Sequence, residues 1–153
     1  MKKLALLIAV VLLAGCGAKQ DRLTPYLQSI KPLEKYHKTM MQYREYLQAE
    51  ETQEKAYDLK QVLENYKADL EKMGEIGDKK VESQHNFLIR KLDGALRRLG
   101  DPEDNTIPGQ FILDARKRIT DIEEAIKEHY YPTLEGLWED AGKTEPFPLK
   151  WPE

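Results

Sequence analysis

The sequence predicts an all-α protein: an antiparallel helical bundle of three to four helices over residues 23–142, with an apolar segment before it and a Pro-rich tail after it. Three observations carry this reading. From Tyr26 to Leu137 the apolar side chains recur at steps of three and four, the period of one helix face. No stretch alternates polar and apolar residues long enough for a strand. Glycine and proline fall between the periodic runs rather than inside most of them. A length of 153 residues is enough for about one domain.

The first run reads Tyr26, Ile30, Leu33, His37, Met40, Tyr43, Leu47. Thr24-Pro25 ahead of it has the form of an N-cap followed by proline at the first helical position. Pro32 comes too late for that first turn, so the helix either kinks there or begins its regular part there. The second run is Ala56, Leu59, Leu63, Tyr66, Leu70, Met73. Between the two runs the apolar phase slips across a polar stretch, 49–55, with no glycine or proline to mark a turn. Two geometries follow. A single helix from Thr24 to Met73 would be about 75 Å long and leave half its apolar face to a partner, a second copy of the chain included. A turn near Glu50–Gln53 would instead give four helices of comparable length and a closed up-down bundle.

Gly74 and Gly77 bracket the next break, with Asp78 as an N-cap. The third run follows: Val81, His85, Leu88, Leu92, Ala95, Leu99. Gly100 fits a C-cap and the polar loop Asp101–Pro108 comes after it. Pro108 opens the last run, Phe111, Ala115, Ile119, Ile122, Ile126, Tyr130, Leu134, Leu137. Pro132 interrupts that helix and Gly142 ends it. The tail, 143–153, holds three prolines and favours extended structure. Phe147, Leu149 and Trp151 alternate along it, so they share one side. They pack on the bundle, serve as a docking peptide for a partner, or belong to a disordered tail.

The N-terminus has a different character. Met1-Lys2-Lys3 is a short positive stretch, and Leu4–Ala14 is apolar throughout. That run falls short of the ~20 helical residues that cross a bilayer and fits the apolar region of a signal peptide. It ends in Leu13-Ala14-Gly15-Cys16. Here the chain resembles bacterial lipoproteins, whose lipobox this tetrapeptide closely matches. The resemblance is confined to the N-terminal segment. It implies that residues 1–15 are a cleaved signal peptide and that Cys16 Sγ carries a diacylglyceryl group. It also implies an N-acyl chain on the new amino group and a lipidated tether over residues 16–22. Gly17, where that family's inner-membrane members have Asp, implies the periplasmic face of the outer membrane in a Gram-negative host. Several acyl chains make such anchoring stable where one does not.

Composition excludes several chemistries. Lys and Arg number 24 against 27 Asp and Glu, a formal charge of −3, which is a poor basis for binding nucleic acid. A single cysteine excludes an intrachain disulfide and any multi-cysteine zinc site. Ser29 and Ser83 lie in helical runs without a nucleophile elbow, and Gly74 and Gly77 lack the Lys-Ser/Thr of a phosphate loop. Asp101, Glu103 and Asn105 start like a calcium loop, but Thr106 and Ile112 stand where Gly and Glu are needed.

One pattern does suggest chemistry. Glu34-x-x-His37 and Glu82-x-x-His85 each put a carboxylate and an imidazole on one helix face. Di-metal carboxylate bundles use two such pairs plus a Glu from each of two other helices, for which Glu64 and Glu123 are the candidates. Neither of those two lies on an apolar stripe. Both histidines do, so the plainer reading makes them core residues satisfied by tyrosine or glutamate. His129 sits near the bundle end. The eight tyrosines border the core or suit an interface. Arg97-Arg98 and Arg116-Lys117-Arg118 meet near the Gly100 loop if their helices are antiparallel. They then face anionic headgroups or an acidic partner, or simply solvent, balanced by Asp93, Asp114 and Asp121.

The expectation is therefore a non-catalytic helical interaction or scaffold module, anchored in the envelope and bound to an envelope protein, with no cofactor beyond its lipid. The alternatives are a metal-binding bundle built on the two Glu-x-x-His pairs and a carrier of a small ligand. Large residues fill most stripe positions, so no sizeable apolar cavity is indicated for the last.

Overall fold

The computed structural model describes residues 21–49, 53–99 and 109–152, with the side chains of 48, 49 and 53–56 left out. Its elements are helices α1 (Leu23–Ile30), a 3-10 turn (Lys31–Leu33), α2 (Glu34–Ala49), α3 (Gln53–Glu71), α4 (Lys79–Leu99), α5 (Gln110–Ala125), a π turn (Ile126–Tyr130) and α6 (Tyr131–Asp140). They form four rods: α1–α2, α3, α4 and α5–α6. Among the described residues there is no strand.

Cross-contacts fix the directions. Tyr36 and His37 of α2 meet Asp69 and Tyr66 of α3, so residue numbers rise on one rod as they fall on the next. Lys67 of α3 meets Asp93 of α4, and Phe87 of α4 meets His129 at the π turn. Arg44 of α2 reaches Glu123 of α5, and Arg116 reaches the Leu47 carbonyl. Neighbouring rods are thus antiparallel and the last closes on the first. The chain reverses between Ala49 and Gln53, and the single helix Thr24–Met73 does not form. The polar stretch 49–55, with apolar phase on either side that one helix cannot reconcile, is the physical reason.

The predicted stripes are the core. Val81, His85, Leu88, Leu92, Ala95 and Leu99 are all buried along α4. So are Leu59, Leu63, Tyr66 and Leu70 along α3. Met73 and Leu137 are only partly covered. Ala56, in the same stripe as α3's core, lies outside the described side chains, as Gly100, the loop 101–108 and Cys16 lie outside the described residues.

Two helix starts differ from the sequence reading. The first helix begins at Leu23, not after a Thr24 cap. Asp21 does the capping: its carboxylate accepts from the Thr24 backbone N–H at 3.1 Å and from the Thr24 hydroxyl at 2.7 Å. Residues 21 and 22 thus lead directly into the first helix. The last rod opens at Gln110, behind Gly109 in the left-handed region (φ 81°), and not at Pro108. Asp78 caps α4 as read, accepting from Lys80 and Val81 N–H at 2.9 and 3.1 Å.

Pro32 is absorbed by the 3-10 turn, which lets α1 run into α2 without a break. Pro132 has no N–H to donate, and the π turn immediately precedes it. The wider turn has a second effect. Buried Ile122, Ile126, Tyr130, Leu134 and Trp138 are spaced by four throughout. In a regular α-helix each such step drifts about 40° around the axis. Five residues of π geometry take up that drift and turn Tyr130 and Tyr131, neighbours in sequence, both inward.

The tail is part of this unit. Helix α6 ends in a Schellman motif: Gly142 N–H donates to the Glu139 carbonyl (2.8 Å) and Lys143 N–H to Trp138 (3.3 Å). Gly142 holds φ 71°, where a side chain is disfavoured. The chain then folds back along the bundle, and Leu149 is buried. Among the described residues no helix is long and apolar enough to cross a membrane.

Candidate functional site

The polar residues that the sequence singled out lie in the middle of the core, and tyrosines surround them. His37 is fully buried. Its Nε2 is 2.8 Å from the Tyr66 hydroxyl and its Nδ1 is 3.1 Å from that of Tyr131. Tyr131 also donates to Glu34 Oε1 at 3.5 Å. A carboxylate only accepts, which fixes the direction of the chain. Tyr66 donates to Nε2, Nδ1–H donates to Tyr131, and Tyr131 donates to Glu34. The imidazole is therefore neutral, with both nitrogens occupied. Burial holds its pKa down at about 3.

His85 has a parallel arrangement. Its ring donates to the Leu70 carbonyl, and its Nδ1 faces the Tyr26 hydroxyl at 3.4 Å. Tyr26 and Tyr130 share a 2.6 Å hydrogen bond. With one nitrogen donating to a carbonyl, Nδ1 accepts from Tyr26, and Tyr130 donates to Tyr26. Burial also lowers the His85 pKa and raises those of Tyr26, Tyr66, Tyr130 and Tyr131. All six groups are thus neutral at physiological pH, and each hydroxyl and ring nitrogen has a partner. A satisfied buried network of this kind specifies one arrangement of the helices.

This placement bears directly on the two Glu-x-x-His pairs. Glu34 is committed to Tyr131 and to the backbone N–H of Lys150, 2.8 Å away. Glu82 and Glu64 are exposed. Glu123 pairs with Arg44 at 2.6 Å and with Lys127 at 3.4 Å. Among the described residues no group of three or more His, Cys, Asp or Glu side chains is placed to hold a metal ion. The structure brings each histidine to tyrosines rather than to carboxylates of the facing helices. His129 is exposed, edge-on to Phe87.

The aromatic tail covers this network. Trp151 stacks on His37 with ring centroids 4.8 Å apart, and Phe147 meets Tyr131 edge-on. Trp138 donates to the Glu145 carbonyl at 2.8 Å. Lys143 and Asp21 form an ion pair at 2.7 Å, which pushes the Asp21 pKa well below the carboxylate range. Phe147, Leu149 and Trp151 therefore contact the bundle itself.

The surface carries what the sequence reading weighed only in passing. A groove of about 620 Å³ runs between α4 and α5. Arg98 from α4 and Lys117 and Arg118 from α5 meet at its upper end, the meeting that antiparallel packing allows. Arg97 turns aside to Asp93 (3.2 Å), and Arg116 to the Leu47 carbonyl. Arg118 is buried, ion-paired to Asp121 at 2.8 Å, and its Nε has no hydrogen-bond partner. Among the described residues, the large apolar side chains that stay exposed are Tyr46 (46%), Tyr57 (38%) and Leu113 (55%). All three lie where α2 ends and α3 and α5 begin, at the end of the bundle opposite Leu23.

No family model matches the chain, and no curated protein or solved structure matches it either.

Proposed function

We propose that this protein is a lipid-anchored, non-catalytic interaction module of the bacterial cell envelope, held on the periplasmic face of the outer membrane and engaging an envelope protein through the far end of its bundle. The carrying observation is the polarity of the molecule. Leu23, from which the chain leads back toward Cys16, lies at one end, and Tyr46, Tyr57 and Leu113 are exposed at the other. Leu13-Ala14-Gly15-Cys16 supports diacylglyceryl and N-acyl modification of Cys16. The five residues from Cys16 to Asp21 reach ~17 Å at most, so a lipidated chain keeps the Leu23 end near the membrane and turns the other end away from it. Exposed tyrosines suit a protein partner because they bring large contact area at small entropic cost.

Photo-crosslinkers at Tyr46, Leu113 and Glu75 in intact cells test this reading. The first two positions lie at the far end and Glu75 near the tether. The expected result is one defined envelope protein joined to positions 46 and 113, none to 75, and loss of the crosslink in Cys16→Ser. Equal crosslinking from all three positions, or crosslinks that survive loss of the lipid, would overturn it.

A further inference from the structure

The geometry points to a binding site for a phosphate monoester in the groove between α4 and α5, with the phosphate at its Arg98, Lys117 and Arg118 end. This inference does not rest on anchoring or on a protein partner.

Charge selects the ligand and its orientation. At the upper end three cations face one carboxylate, Asp121, already paired to Arg118. The local excess is positive in a chain whose formal charge is −3. A phosphate monoester carries about −1.5 to −2 at pH 7 and so balances that excess. Lower in the groove, Arg90 and Lys91 on α4 stand across from Glu124 on α5 and Glu128 in the π turn. That half is close to neutral, and it neither draws nor repels an anion. Arg98 and Lys117 have no ion-pair partner among the described residues. Arg118 is held in place by burial and by Asp121, and its Nε–H lacks an acceptor. A guanidinium held in this way adds a fixed positive charge to that end of the groove, where Arg98 and Lys117 are the exposed donors.

Shape selects the rest of the molecule. A Cβ on Gly94 would meet nothing within 4 Å, so the α4 wall is open at this point. Ala95, Ile122 and Ala125 make a low apolar floor beside it. The volume of about 620 Å³ lies within the range of small-molecule sites. A phosphate bound above this floor leaves its organic group lying along Gly94, toward Phe87.

Calorimetric titration of the full chain in non-ionic detergent, with phenyl phosphate as probe, tests the proposal. Phenyl phosphate is expected to bind more tightly than inorganic phosphate. Arg98→Gln and Lys117→Gln, both at exposed positions, are each expected to weaken it about tenfold, as loss of a charge-assisted hydrogen bond does. Gly94→Leu fills the floor and should weaken phenyl phosphate while leaving inorganic phosphate nearly unchanged. Phosphatidic acid added to the micelles separates two sources of the same chemistry: competition assigns a lipid headgroup, and its absence a soluble phosphate. No measurable binding, or binding unchanged in the Arg98→Gln, Lys117→Gln double variant, would overturn the site.

Discussion

His37 shows how much one side chain contributes at the residue scale. Its imidazole is neutral and buried, with a pKa near 3 against an ordinary 6.5. The unfolded chain therefore takes up a proton between pH 6.5 and 3 that the folded chain refuses. Stability is complete above pH 6.5 and falls as the pH drops, by up to about 1.4 kcal/mol for each pH unit. His85, shifted the same way, adds to the slope. Urea denaturation at pH 7, 5.5 and 4.5 should show this loss before the carboxylates titrate, and His37→Gln should flatten it. A profile level down to pH 4.5 would contradict the assignment. Tyr26→Phe is expected to cost about 1–3 kcal/mol, since it leaves the buried Tyr130 hydroxyl without its acceptor and His85 Nδ1 without its donor. Sequence spacing shows that both histidines face inward. It does not show who satisfies them, because Tyr26 lies 59 residues from His85 and 104 from Tyr130. Eight tyrosines offer many pairings, and only the packed fold chooses among them.

At the scale of the element, the last rod is the informative one. Its buried positions repeat every four residues from Ile122 to Trp138, which is wider than an α-helix sustains. The sequence reading continued the stripe to Leu137 and took Pro132 as an interruption, whereas the rod continues through it by the π turn and buries Trp138. What the pattern could not show was the consequence, that Tyr131 joins Tyr130 in the core. The end of the rod can be tested separately. Gly142→Ala places a Cβ at φ 71° and should cost about 1–2 kcal/mol by thermal or chemical denaturation. The tail beyond it is an aromatic cover rather than a free peptide. Trp151→Ala removes the ring stacked on His37 and lets water approach. The His37 pKa should then rise from about 3 toward 6.5, as followed by NMR of the ring protons, while an unmoved pKa would mean that the tail does not shield it.

Across the whole molecule, the reversal between Ala49 and Gln53 decides the architecture. The sequence left it open because residues 49–55 carry no turn residue, and closure is favoured by the slip in apolar phase together with the cost of leaving half of a long apolar face in water. Once closed, the bundle buries its stripes internally. The groove was harder to read: exposed charges carry no periodicity, and Arg98 and Lys117 become neighbours only through the antiparallel pairing of α4 and α5. Because Trp138 and Trp151 both bridge the tail to the core, fluorescence and far-UV circular dichroism should report one shared unfolding midpoint. A tryptophan transition ahead of the helical one would show the tail leaving first. The clasp between Asp21 and Lys143 has a mechanical meaning as well. Tension entering the chain ahead of Asp21 meets this ion pair before any core contact, and through it loads the first and last rods together. The bundle then resists as a sheared pair rather than peeling from α1. In an optical trap pulled from the N-terminus, Lys143→Ala should lower the rupture force and let the first rod detach alone.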